Sequence, residues 1–182
     1  MSKNTMPLHK EAWIEELAIK IFNEIEALTK DKVGVSRESY GKGETISINY
    51  MIDLAKEFGF YIEKDAAANV YLSLEKSTKN NHILIGSHID SVPQGGNFDG
   101  LAGVIAGFLI LVYLKEKKVK TSLPIKLLVL RGEESAWYGK NCIGSKALFG
   151  LISQEDLNST HRSNGKKLSK AMTESGVKLD QI

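Results

Sequence analysis

The sequence predicts an α/β fold, and three features predict it. His82 to Ser87 and Leu123 to Leu130 are short apolar runs with the length of buried strands. Leu101 to Lys117, between them, has the length of a helix and is apolar nearly all round, which predicts that it is buried. Strand, buried helix, strand at this spacing reads as a βαβ unit, so helices flank a sheet.

The elements follow in order. From Glu11 to Leu28 a stripe of Ile14, Leu17, Ala18, Ile21, Ile25 and Leu28 predicts an amphipathic helix. A glycine-containing polar segment spans Val33 to Gly43. A second helix is predicted from Thr45 to Phe58, its apolar face made by Ile48, Met51, Ile52 and Ala55 and its stop by Gly59. Phe60 to Glu63 and Asn69 to Leu74 are strand candidates, joined by Asp65-Ala66-Ala67-Ala68-Asn69. Lys76 to Asn81 reads as a polar turn. Beyond the second buried strand, Gly144 to Leu148 and Gln154 to Leu157 read as short helical turns, and Asn164 to Glu174 as a surface helix. No closing strand precedes Ile182, an abrupt end for an α/β domain.

Composition narrows the function classes. A chain of 182 residues with 42% hydrophobic and 25% charged residues is ordinary for a soluble domain with a real core. A net charge of +2 and lysines scattered along the chain argue against a nucleic-acid footprint. The longest apolar stretch, Leu101 to Leu114, is too short and too glycine-punctuated to span a bilayer. Met1 to Lys10 contain no apolar h-region, which predicts no secretory signal. The single cysteine, Cys142, excludes an internal disulfide and is expected to be a small buried side chain. Together these predict a cytoplasmic, reducing compartment.

Open α/β sheets bind ligands beyond the carboxyl ends of their strands. The first buried strand runs into His88-Ile89-Asp90, the second into Glu133-Glu134, and a glycine-rich loop between them holds Asn97-Phe98-Asp99-Gly100. An imidazole at a strand end is a good ligand for zinc or manganese, and a carboxylate two residues on can fix its tautomer. Asp99 by itself reads equally well as the N-cap of the helix that follows. It can instead bridge two ions, with glycines at 95, 96, 100 and 103 allowing close backbone approach. Adjacent glutamates at a strand end point in different directions, so one can bind metal while the other serves as general base.

Gly86-Ser87-His88-Ile89-Asp90-Ser91-Val92-Pro93 with Gly95-Gly96-Asn97-Phe98-Asp99-Gly100 resembles the first metal motif of the N-carbamoyl-L-amino acid hydrolase and allantoate amidohydrolase family. Arg131-Gly132-Glu133-Glu134-Ser135 resembles its second, Gly144-Ser145-Lys146-Ala147-Leu148 the stretch after it, and Asp65 and Asn69 a turn in which Ala68 replaces the usual glycine. The glycine-rich spacing before Asp99 favours the carbamoylase branch of this aminoacylase and carboxypeptidase-like group over the peptidase branch. The resemblance implies the N-terminal part of a di-zinc aminopeptidase-like catalytic domain, a mixed sheet flanked by helices. It implies that His88, Asp99 and Glu134 bind two divalent ions (zinc or manganese), with Asp99 bridging. Glu133 is then the general base and Asp90 orients His88. The implied reaction is hydrolysis of a ureido or amide C–N bond in a small substrate, an N-carbamoyl amino acid or allantoate.

Family members are considerably longer. Two further metal-binding histidines and a lid that also forms the homodimer are expected outside this chain. His9, His82 and His161 match no family motif and are not expected to replace those ligands. Residues 1–182 are therefore expected to be a partial catalytic domain: an N-terminal helix to residue 35, a metal-motif core over 36–150 and a helical segment over 151–182. Weak metal binding and little activity follow for the chain alone. A non-catalytic interaction module with open strand edges is the rival from another class, and the peptidase or deacylase branch is the rival within the group.

Overall fold

Four strands form one mixed sheet in a computed structural model that describes residues 11–76 and 81–182. They are β1 (Tyr61–Lys64), β2 (Val70–Ser73), β3 (Ile83–His88) and β4 (Ile125–Leu130), in the order β1-β2-β4-β3. β1 and β2 are antiparallel, as are β2 and β4, whereas β3 and β4 are parallel. The crossover from β3 to β4 carries helix α3 (Leu101–Glu116), so the βαβ unit is present as its spacing predicts. The turn expected at Lys76 to Asn81 falls largely outside the described residues, as does His9.

Alternation along the strands decides which face is dry. Val70 pairs with Val129 and Leu72 with Leu127, so all four point to one side. There they meet helices α1 (Ala12–Thr29) and α2 (Lys42–Glu57) together with α3. α1 contributes Ile21 and Ile25; α2 contributes Ile48, Met51, Ile52 and Ala55; α3 contributes Val104, Ile105, Phe108, Leu111 and Val112. Each such side chain contributes about 1.5–3 kcal/mol when fully buried. α2 begins at Lys42, three residues before the predicted start at Thr45, and ends just before Gly59, whose positive φ of 65° suits glycine.

Three burial expectations are corrected. β3 is an edge strand, so Ile83 and Leu84 remain 43% and 45% exposed although their run reads as buried. α3 is buried on one side only: Ala102, Ala106 and Ile110 lie exposed on its outer flank. The α1 stripe likewise ends before Leu28, which is exposed, and Thr29 is buried in its place.

A second cluster lies towards the C-terminus. It is built by α4 (Ile143–Leu148), α5 (Gln154–Asn158), α6 (Leu168–Glu174) and a last 3-10 turn, Leu179–Gln181. α6 is shorter than predicted because residues 161–165 form a turn, closed by Gly165 N–H to the His161 carbonyl. Nor does it lie on the surface, since Leu168, Ala171 and Met172 pack with Tyr40, Trp137 and Tyr138. His161, placed by sequence in a polar loop, is buried in the same cluster, with Trp137 stacked at 5.4 Å and Tyr138 edge-on at 5.2 Å.

Candidate metal centre

Parallel pairing brings the carboxyl ends of β3 and β4 to one rim, where His88 stands in register with Leu130. Beyond Leu130 the chain leaves the ladder, and its next four amide N–H groups need other acceptors. Side chains supply all four. Arg131 N–H donates to Asn69 Oδ1 at 3.0 Å and Gly132 N–H to Glu44 Oε1 at 2.7 Å. Glu133 and Glu134 N–H donate to the two oxygens of Asp90, each at 3.0 Å. The backbone under both glutamates is thereby pinned to the residue two beyond His88.

Asp90 is fully buried and does more than face the imidazole. Ser39 Oγ donates to its Oδ2 at 2.7 Å, and His88 Nδ1 lies 3.2 Å from its Oδ1. Burial alone would raise the Asp90 carboxyl, but these hydrogen bonds hold it below the ordinary carboxylate value. With Nδ1 facing Asp90, the other ring nitrogen of His88 is the free one. Nε2 stands 3.7 Å from Asp99 Oδ1 and 3.9 Å from Glu133 Oε2, too far for hydrogen bonds.

Those spacings fit a cation. His88, Glu133 and Glu134 each offer a ligand atom, all within 4.8 Å of one another, whereas Asp99, a ligand expected from the sequence, lies outside this group with its Oδ1 3.7 Å from His88 Nε2. Two donors on one zinc ion, each at a bond length near 2 Å, sit ~3.3 Å apart, so these side chains would draw together by up to about 1.5 Å to share an ion. Burial pulls the His88 pKa down, yet its bonds to Asp90 and the charges of Asp90 and Glu133 carry it above the usual histidine value. Glu134 is pushed up, first by burial and then by the charge of Asp90. Crowded negative charge around an imidazole of this kind is relieved by a bound positive ion.

Asp99 is not the helix cap. Gly100 occupies that position, α3 has no side-chain cap, and the Asp99 carboxylate is 71% exposed beside His88. Gly100 has φ of 65°, and a Cβ there would lie 2.4 Å from the imidazole, so only glycine lets His88 lie against the start of α3. The close approach expected at Gly96 is absent: a Cβ there would meet nothing within 4 Å.

Several supporting residues carry no signal in the sequence. Glu44, in the first turn of α2, accepts from Arg131 Nε at 2.6 Å and from Tyr40 N–H at 2.8 Å. Burial pushes its carboxyl up to about 7 against the pull of Arg131. Cys142, expected to be simply buried, is half-buried with its thiol 3.6 Å from Glu133 Oε1. Its left-handed backbone, φ 54°, makes that contact, and nothing local in the sequence announces it. Trp137 Nε1 donates to the Ser91 carbonyl at 2.7 Å, tying the two motif loops together again. The Asp65–Asn69 turn was legible. Asn69 also donates to the Gly144 carbonyl at 3.1 Å, and Ala68 takes the positive φ, 60°, for which a glycine is usual.

Residues 69–168, more than half of the chain, match the family described as peptidase family M28. The chain belongs to that family. The matched span includes His88, Asp90, Asp99, Glu133 and Glu134, and M28 is a family of metal-dependent hydrolases. Among its relatives, this M28 chain is 33% identical over 150 residues to an N-carbamoyl-L-amino acid amidohydrolase of Geobacillus stearothermophilus, covering 82% of the chain and 36% of the relative. It is 32% identical over 120 residues to an allantoate amidohydrolase of Bacillus subtilis, covering 65% of the chain and 29% of the relative. The solved structure of a hydantoinase/carbamoylase family amidase from Burkholderia ambifaria superposes with a TM-score of 0.79 at 22% identity, over 89% of this chain and 40% of that one, which shows a shared fold. The resemblance read from the motifs therefore stands. The M28 chain spans about 36% of the length of the Geobacillus stearothermophilus relative. Among the described residues no helix is long and apolar enough to cross a membrane.

Proposed function

We propose that this chain carries one part of the active site of a cytoplasmic amidohydrolase that cleaves linear ureido or amide C–N bonds in small substrates of the N-carbamoyl amino acid or allantoate type. The relatives' activities support the substrate class. The single observation that carries the site is Asp90, whose carboxylate joins the His88 ring to the backbone of both glutamates. In this reading His88, Asp99 and Glu134 would hold two divalent ions, zinc or manganese. When bound, such ions supply Lewis acidity for the scissile carbonyl and lower the pKa of water. Glu133, 40% exposed and poised beside Nε2, takes the proton from the attacking water and returns it to the leaving nitrogen. Asp90 keeps His88 in the tautomer whose Nε2 can ligate.

Among the described residues the site has one imidazole. His82 stands at the opposite end of β3, and His161 is buried against Trp137. Weak metal binding and little turnover by the chain alone follow. Calorimetric titration of zinc and manganese checks this. His88→Ala and Glu134→Gln should each weaken binding by about tenfold or more, and affinity indifferent to both would remove the site. Once both ions are held, ammonia release from N-carbamoyl amino acids or allantoate should require Glu133. Preference for N-acyl amino acids or dipeptides would move the assignment to the deacylase or peptidase branch.

A second reading, an interaction module, is favoured by one observation: β3 is an open edge with exposed Ile83 and Leu84.

A further inference from the structure

Arg37 is among the largest fully buried side chains of the described residues, yet no carboxylate accepts a hydrogen bond from its guanidinium. Its acceptors are neutral and lie at both ends of one loop. Nε donates to the Ile89 carbonyl at 2.7 Å, immediately after His88. Nη1 donates to Asn97 Oδ1 at 3.0 Å, and Nη2 reaches the carbonyls of Asn97 at 3.3 Å and Asp99 at 3.4 Å. The Arg37 backbone adds a reciprocal pair: its N–H donates to Ser91 Oγ and its carbonyl accepts from Ser91 N–H, both at 3.0 Å. Asn97 is anchored in turn, its Nδ2 donating to the Phe22 carbonyl of α1 at 3.0 Å.

The loop needs such a brace. Residues 89–99 include Pro93, Gly95 and Gly96, and they connect the imidazole of His88 to the carboxylate of Asp99 without a strand or helix of their own. Arg37 gives the carbonyl of buried Ile89 a donor and adds one to the carbonyl of Asp99, which also accepts from Leu101 N–H at 2.6 Å. A guanidinium presents five N–H groups in a rigid planar fork, and an ammonium cannot reproduce that geometry. Burial works against the charge on Arg37, which Asp90 and Asp99 support from a distance. Retaining a buried cation here is costly unless the loop geometry it holds is useful.

We propose that Arg37 is a positioning residue for the metal centre: by gripping the carbonyls at both ends of the 89–99 loop, it sets the separation of His88 and Asp99. It touches neither ion nor substrate. The proposal rests on the metal-centre reading above, and the test separates the two. Cobalt(II) is titrated into the purified chain and into R37K, R37Q, N97A, H88A and M51A, following affinity and the visible ligand-field bands, with circular dichroism and thermal melting as folding controls. Met51 is a buried core residue of α2 that takes no part in the loop. R37Q should weaken cobalt binding about 10- to 100-fold and alter the bands. R37K should do nearly the same, since the charge remains but the fork is lost. N97A, which removes one acceptor and leaves Arg37 intact, should weaken binding less and serves if the Arg37 variants fail to fold. M51A should lower the melting temperature without changing affinity or bands. If R37K binds like the parent chain, or M51A weakens binding as much as R37Q, the positioning role is overturned while the metal centre stands. If H88A leaves affinity unchanged, the metal centre itself falls and the role of Arg37 with it.

Discussion

Asp90 concentrates the chemistry of this chain in one carboxylate. It accepts from Ser39 Oγ and from two consecutive backbone N–H groups, and it faces an imidazole, all in full burial. An amide in its place keeps one oxygen but turns an NH2 towards an N–H donor, so at least one buried partner is left unsatisfied. Asp90→Asn should therefore cost about 1–3 kcal/mol of stability and weaken metal binding by about 10–100-fold, read by denaturant unfolding and by calorimetry. The sign of the pH dependence follows from the depressed Asp90 pKa. A group lowered in the fold contributes stability above the unfolded value, near 3.8, that disappears as pH falls through the folded value. The gap between parent and variant should thus be widest near neutrality and close in acid; a gap that widens in acid would contradict the assignment. The sequence singles out His88, Glu133 and Glu134 as candidates because each sits in a short motif at or just beyond a strand end, and Asp99 because it lies in the glycine-rich loop before α3. Arg37, Ser39, Glu44 and Cys142 were not readable in this way. The first three reach the motif loops across 51 to 95 positions of sequence, and Cys142 depends on one left-handed residue.

Among the elements, α3 shows how glycine pattern and packing are linked. A Cβ on Gly103 would lie 2.6 Å from Ser87 Cβ on β3, and one on Gly107 would lie 2.6 Å from Leu127 Cδ1 on β4. The helix can therefore sit close over the parallel pair whose ends form the site. Alanine favours a helix interior over glycine by about 1 kcal/mol, whereas forcing a methyl group into an occupied helix–sheet contact costs about 1–3 kcal/mol. The displaced Ser87 Cβ is not the end of a flexible side chain, so the clash should win. Gly103→Ala should lower stability by about 1 kcal/mol net, and a stabilised variant in thermal or urea unfolding would refute the close-packing account. The βαβ unit and the buried face of α2 were legible because residue period and element length are local properties. The exposure of β3 was not: an apolar run looks alike in a central and an edge strand, and strand order is decided by pairings distant in sequence. His161 reads as a loop residue for the same reason, since Trp137 and Tyr138 bury it from another part of the chain.

For the whole molecule, the two sheet edges differ in how they meet solvent. β1 is a four-residue strand bearing Glu63 and Lys64, and Glu63 pairs with Lys126 at 2.7 Å; short, charged edges of this kind resist pairing with another chain. β3 is longer, carries no charge among Ile83 to Ser87, and nothing among the described residues pairs with its outer side. The outer flank of α3 adds Ile110, 44% exposed, and Tyr113, so apolar surface faces water on the helix as well as on the strand. Unpaired strand groups and uncovered apolar side chains both favour association, and a net charge of +2 opposes it only weakly. The purified chain should therefore associate with itself as its concentration rises, by sedimentation velocity or light scattering. Charges placed on the two features by L84K and I110E should shift it towards monomer by about tenfold or more in apparent dissociation constant, with the circular dichroism spectrum unchanged. Metal binding provides the independent control, because neither residue is among the proposed ligands. A parent chain that stays monomeric up to its solubility limit would show that this edge is not sticky, and with that the interaction-module reading would lose the observation that favours it.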